Sequence, residues 1–200
     1  MKKFVTRVSP AILALSLAST ASATLIDFNL NRNGTTSQLQ LQLPSQVEMP
    51  YELPRIEEGP LAGSYGSIEP GWDGEGTDRP ADGAFALLSP TGVSLRRIRF
   101  DAGFSMFTEA LDPILELDGA IHEFAGSPEG PGLLWHQHLL FVADASVPVG
   151  TELTADFQLT DRNGLHGDSS IFTLRYLVTP EPTSALLALC GGIALVARRR

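Results

Sequence analysis

Two histidines one residue apart, His136 and His138, are the side chains best spaced for chemistry in this 200-residue chain. In a strand, residues i and i+2 point to the same side, about 6.5–7 Å apart. Two imidazoles so placed can converge on one metal ion, and zinc accepts histidine nitrogen together with carboxylate oxygen. His166 or Asp168 in a downstream loop, or His122, would complete such a ligand set. The pair shares its strand face with Leu134, Leu140 and Val142. An apolar face disfavours an imidazolium unless it is metallated or hydrogen-bonded. The plain alternative is two histidines at a strand end.

A second cluster is acidic. Glu69, Asp73, Glu75, Asp78 and Asp82 stand among glycines within residues 69–83. Carboxylates on a flexible loop suit calcium, which takes six to eight oxygens in irregular geometry. The Asp-x-Asp-x-Asp-Gly spacing is absent, so a solvated acidic loop is the better reading and calcium ranks below zinc. Trp72, Trp135, Tyr51 and Tyr65 are the aromatics that could stack on sugar rings. Trp135 sits in an apolar run and reads as core, whereas Trp72 reads as loop-borne and is the better glycan candidate. Enzyme signatures are incomplete. His122-Glu123 opens a zincin-like pattern, but Gly126 stands where the second histidine belongs. No Gly-x-Ser-x-Gly elbow or phosphate loop is present. The expectation is therefore a protein without enzymatic activity. A secreted hydrolase using paired carboxylates is a distant alternative.

The elements that would hold these residues are strands. Residues 37–43 alternate leucine with polar side chains, and residues 151–159 place Leu153, Ala155, Phe157 and Leu159 on one side. Residues 171–178 do the same with Phe172, Leu174, Tyr176 and Val178. The last two form a hairpin across residues 160–170, where Asp161, Asn163 and Gly164 are turn formers. Val93 and Leu95 share one phase and Ile98 and Phe100 the other, so the change at Arg96-Arg97 predicts a β-bulge. Further strands are expected over residues 25–30, 84–88, 114–117 and 121–124. Residues 133–142 are apolar on both sides and read as a central strand of a covered sheet. Residues 44–83 hold six prolines and seven glycines and read as a long functional or partly unstructured loop. No amphipathic helix is evident. Eight or nine short strands predict an all-β fold: a single β-sandwich, jelly-roll or immunoglobulin-like, with a closed barrel as runner-up.

Composition separates this body from its ends. Residues 24–179 carry eight arginines, no lysine and 22 acids, a net charge of −14. Such a polyanion repels phosphate, which excludes a general nucleic-acid binder. The single cysteine, Cys190, lies beyond the body, so no intramolecular disulfide or thiolate site is available there. At the amino end, Lys2, Lys3 and Arg7 precede an apolar run over residues 11–18, and Ala21 and Ala23 supply small residues at signal-peptidase spacing. That run covers only ~12 Å as a helix, too short to span a bilayer. Residues 1–23 therefore read as a signal peptide cleaved after Ala23.

At the carboxyl end, Pro180-Glu181-Pro182 is followed by an apolar run over residues 185–197 and then Arg198, Arg199 and Arg200. The prolines hold an extended stretch that an enzyme can grip. With Thr183 and Ser184 the run would extend ~22 Å as a transmembrane helix, and the arginines resist translocation. Residues 179–200 resemble the PEP-CTERM sorting domain, the substrate signal of exosortases. The resemblance implies a Gram-negative-type bacterium, transient insertion in the inner membrane, and processing near Pro180-Glu181-Pro182. It also implies delivery to the envelope surface or extracellular matrix, with exopolysaccharide and biofilm as the setting.

The expectation is thus a signal peptide (1–23), a β-sandwich ectodomain (24–178) and a sorting signal (179–200). Its partners are signal peptidase, exosortase and, as a candidate, exopolysaccharide. The leading function is a structural or interaction role in the envelope or biofilm, and the alternative is a zinc-binding surface module.

Overall fold

The alternating segments do form strands. The structure, a computed structural model, describes residues 27–42 and 50–180. The expected signal segment with Ala21 and Ala23 lies outside them, as do Glu181, Pro182, Arg198, Arg199 and Arg200 of the expected sorting signal. Pro180 is the last residue described. Among the described residues there is no α-helix, and no helix is long and apolar enough to cross a membrane.

The strands are β1 (Asp27–Arg32), β2 (Leu39–Gln42), β3 (Tyr51–Leu53), β4 (Tyr65–Ser67), β5 (Gly71–Glu75), β6 (Val93–Phe100), β7 (Phe104–Phe107), β8 (Pro113–Ile114), β9 (Ile121–Glu123), β10 (Leu133–His138), β11 (Leu140–Ala143), β12 (Glu152–Asp161) and β13 (Phe172–Val178). They make three sheets, ordered β10-β5-β1-β2, β4-β11-β7-β8 and β3-β13-β12-β6-β9. The chain is all-β, as its alternation predicts.

One face of the five-stranded sheet carries the core. Leu153, Ala155, Phe157 and Leu159 of β12 and Leu174, Tyr176 and Val178 of β13 are all buried on it. Phe172, at the head of β13, meets Trp72 of β5 at 6.4 Å between ring centroids. Tyr176, four residues on and therefore on the same face, meets Phe104 of β7 at 5.1 Å and Phe141 of β11 at 4.9 Å. Both four-stranded sheets thus cover a single face of the larger one. Removal of the fully buried ring of Trp72, Tyr176 or Phe141 would cost about 3–5 kcal/mol.

The expected β12–β13 hairpin forms, with Leu153 opposite Tyr176 and Phe157 opposite Phe172. Its loop is organised by the Asp161 carboxylate, which accepts the backbone N–H groups of Asn163, Leu165 and His166. The predicted bulge is present. Asp156 pairs with Arg99 and Phe157 with Arg97, which leaves Ile98 as the extra residue of β6.

Three expectations change. Residues 133–142 are not one central strand: β10 is the edge of one sheet and β11 an inner strand of another, and the chain passes between them at fully buried Leu139. Trp135, Leu139, Phe141 and Ala143 all point inward, so a single inward phase runs through the change of sheet. Residues 50–83 are not a long loop but contain β3, β4 and β5, and β5 is an inner strand of the first sheet. Residues 84–88 form only isolated bridges, from Phe85 to Arg32 and from Ala84 to Arg79.

Candidate metal centre

The register of β1, β5 and β10 builds a small grid on the outward side of the first sheet. Asp27, Gly71 and His138 lie side by side across the three strands, and Asn29, Asp73 and His136 form the next row. Inward residues set this phase. Phe28 and Leu30 of β1 are fully buried, so Asp27 and Asn29 point the other way. In β10, Trp135 stacks on Phe124 at 4.7 Å and presses on Gly74, where a side chain would collide with the indole. That anchor turns His136 and His138 outward, with their rings 4.7 Å apart.

Asp27 and His138 are two strands apart, about 9.6 Å at ordinary strand spacing. They meet because Gly71 between them has no side chain. His138 Nε2 lies 3.9 Å from Asp27 Oδ1 across that gap. A Cβ at Gly71 would stand 2.7 Å from His138 Cε1 and closer still to Asp27 Oδ1. The cradle is therefore specific to glycine.

Both imidazoles are held by Nδ1. His136 Nδ1 is 2.7 Å from Asp73 Oδ1. His138 Nδ1 is 3.0 Å from the Ile68 carbonyl, which can only accept, so the proton sits on Nδ1 and Nε2 offers its lone pair. Metal-binding histidines are typically oriented in this way, by a carboxylate or carbonyl on the second ring nitrogen. One donor atom each from Asp27, His136 and His138 lies within 4.8 Å of the other two. Asp27 Oδ1 is buried and has no hydrogen-bond partner among the described residues. Ligands around tetrahedral zinc sit about 3.3 Å from one another. The His138–Asp27 separation is therefore about 0.6 Å too wide, a difference that side-chain torsions can close.

Carboxylates crowd the histidine pair. Burial opposes protonation of His136, but the Asp73 hydrogen bond and the charges of Asp73, Asp27 and Glu129 outweigh it and hold its proton above the usual histidine value of 6.5. Burial, with repulsion from Asp27, raises Asp73 above its usual 3.8 despite the His136 hydrogen bond. Burial at Asp73, and the hydrogen bond and neighbouring carboxylates at His136, thus hold protons here that a dication would displace. A cleft of about 330 Å³ opens beside the pair, bordered by residues 108–110 and 125–129. Glu129 Oε2 stands at its edge, 3.7 Å from His136 Nε2.

The third ligand expected from the sequence does not come from the hairpin loop. His166 is enclosed: its Nδ1 is 2.8 Å from Asp161 and its Nε2 accepts the Leu88 N–H. Asp168 pairs with Arg96 at 3.5 Å. His122 accepts from the Gln137 amide at 3.3 Å, and burial keeps its proton affinity below normal. Asp27 takes the third position instead. Its outward phase was readable from Phe28 and Leu30, but its neighbour across the parallel β1–β5 pairing was not. The apolar surroundings expected for the histidines are replaced by carboxylates, because inward Trp135 leaves them on the polar side.

The acidic segment does not converge. Asp73 faces His136, Glu75 binds Arg79 at 2.6 Å, and Asp78 accepts the Ala86 N–H. Asp82 stands 3.9 Å from Arg79, and Glu69 receives the Tyr176 hydroxyl on its backbone carbonyl. Trp72 is not loop-borne. It is fully buried in β5, 5.5 Å from both Phe28 and Phe124, and offers no face to a glycan. Trp135, Tyr51 and Tyr65 are likewise buried. A second cleft, about 410 Å³ along β2, mixes amide and hydroxyl side chains with Leu39, Leu41 and Phe172 and includes neither histidine of the pair.

The chain matches no protein-family model, no curated protein and no solved structure.

Proposed function

We propose that this protein is an exported bacterial surface or matrix protein whose β ectodomain binds a divalent transition metal, zinc foremost, through Asp27, His136 and His138. The observation that carries the metal reading is the convergence of three donor atoms, with both histidines anchored through Nδ1. The two-layer arrangement of sheets supports a single β-sandwich, jelly-roll or immunoglobulin-like, as the ectodomain fold. Metal binding gives it an interaction role at the envelope or in the matrix, with exopolysaccharide as the surrounding polymer.

Export and sorting rest on the ends of the chain. Signal peptidase cleaves after Ala23, the inner membrane holds the carboxyl end transiently, and an exosortase processes the chain at Pro180-Glu181-Pro182. Arg198, Arg199 and Arg200 stay cytoplasmic until that step.

The metal reading is tested by stripping the purified protein with a chelator and titrating zinc. One zinc per chain is expected, together with a rise in thermal stability. At zinc 100-fold above Kd, the gain is about 2.7 kcal/mol, or roughly 5–10 °C in Tm. His136→Ala/His138→Ala should abolish both effects. Equal zinc uptake by the double variant would overturn the assignment. The sorting reading fails if deletion of the host exosortase leaves the size and location of the protein unchanged.

A further inference from the structure

We infer that the metal held by Asp27, His136 and His138 keeps an open coordination side that faces the adjoining cleft and takes an uncharged ligand in preference to an anion. This rests on the metal reading above and adds what the site exchanges.

All three donors rise from one surface of one sheet. A sheet presents side chains to a given side only, so β1, β5 and β10 can cover one hemisphere of an ion and no more. Both histidines also line the cleft bordered by residues 108–110 and 125–127, so the uncovered side of the ion adjoins it. Gly126 lets that border approach: a side chain there would collide with the His136 carbonyl. The His136 N–H donates to the Ser127 carbonyl at 3.0 Å, which holds the cleft wall against the edge of β10. Three protein ligands plus an exchangeable position is the pattern of open zinc sites, whereas structural zinc sites use four protein ligands.

Glu129 is the group that could close the site. Its side chain is 72% exposed and stands 3.7 Å from His136 Nε2. It is placed to accept a hydrogen bond from a water on the ion rather than to anchor the ion from a buried position. Its charge also selects. With a dication bound, the carboxylates of Asp27, Asp73 and Glu129 leave the site one negative charge in excess, and Glu109 lines the same cleft. An anion entering that field is repelled, and an uncharged donor is not. Thr108 and Ser127 line the cleft as well, so a hydroxyl-rich molecule is the class that fits.

Cobalt provides the readout. The full chain is stripped, loaded with one equivalent of Co²⁺, and its visible spectrum is followed during titration with imidazole, an uncharged donor, and with azide, an anion. Measurements are made at mildly alkaline pH. Imidazole should shift the spectrum saturably, and azide should bind more weakly. Glu129→Gln should strengthen azide by about fivefold, the effect of one like charge at ~4 Å in water, and leave imidazole affinity within about threefold. A spectrum that neither probe changes would mean a closed site and overturn the inference. So would azide binding as tightly as imidazole, or imidazole affinity rising tenfold in Glu129→Gln, the mark of a fourth ligand that imidazole must displace. Failure of wild-type protein to bind cobalt or zinc at all would instead sink the metal reading on which the inference stands.

Discussion

Gly71→Ala tests the centre by sterics, without replacing a proposed ligand. The added Cβ would lie 2.7 Å from His138 Cε1, about 0.7 Å inside the 3.4 Å at which ordinary contact begins, and deeper still into Asp27 Oδ1. Binding asks the opposite movement. Asp27 and His138 must close from 3.9 Å to about 3.3 Å to share one zinc. Alanine therefore drives apart two donors that the metal must draw together. Loss of an orienting outer partner costs about 10–100-fold in metal affinity, and displacement of a ligand should cost at least that, some 1.4–2.7 kcal/mol. The metal-free protein should lose about 1–3 kcal/mol from overpacking, at the lower end because Asp27 is about one-third exposed and can swing outward. Zinc affinity is measured by competition with a chromophoric chelator, and folding by thermal denaturation of the stripped protein. The reasoning also fixes a coupling. In an Asp27→Ala background the affinity penalty of Gly71→Ala should shrink sharply, because the principal clash has gone. Zinc affinity within threefold of wild type in Gly71→Ala would refute the account.

Three further outcomes follow from the same geometry. Asp73→Asn keeps the shape beside His136 but removes the charge that orients it, and zinc affinity should drop about 10–100-fold by the same titration. His136 holds its proton above 6.5, so in the metal-free protein its stabilising contribution is complete below 6.5 and is lost as pH rises through the raised value. Zinc affinity should run the other way, falling by up to tenfold per pH unit below that raised value, and a flat pH profile from 6 to 8 would contradict the assignment. Burial pushes the Asp161 carboxyl up, but hydrogen bonds from Asn163, His166 and Leu165 together hold it below its usual 3.8. Its contribution is present above 3.8 and is lost as pH falls through the depressed value. Asp161→Asn should flatten acid denaturation in that range and cost about 1–3 kcal/mol at neutral pH, read from urea melts.

The paths to the hairpin and to the metal centre differ in range. Phe157, Leu159, Leu174 and Tyr176 announce β12 and β13 because alternation is local, and Asp161, Asn163 and Gly164 mark the turn that joins them. The same rule places His136 and His138 on one side of a strand, as the structure has them. It misplaces Trp72, because the surrounding glycines, Gly71 and Gly74, read as loop. In the fold, Gly71 clears the way between Asp27 and His138, and Gly74 receives the Trp135 ring. It also misses that residues 133–142 leave one sheet for another at Leu139, since a continuous inward phase looks the same in either case.

By itself the amino-acid sequence determined the all-β class, the hairpin with its bulged neighbour, and the shared orientation of the two histidines. Each depends on side chains a few residues apart along one strand. Tertiary structure alone decided that Asp27, rather than His166 or Asp168, stands beside them. That neighbour is set by the parallel pairing of β1 with β5 and the antiparallel pairing of β5 with β10, which join residues more than a hundred positions apart. Period-2 patterning says which way a side chain points but not which strand lies next to it, and a ligand set needs both.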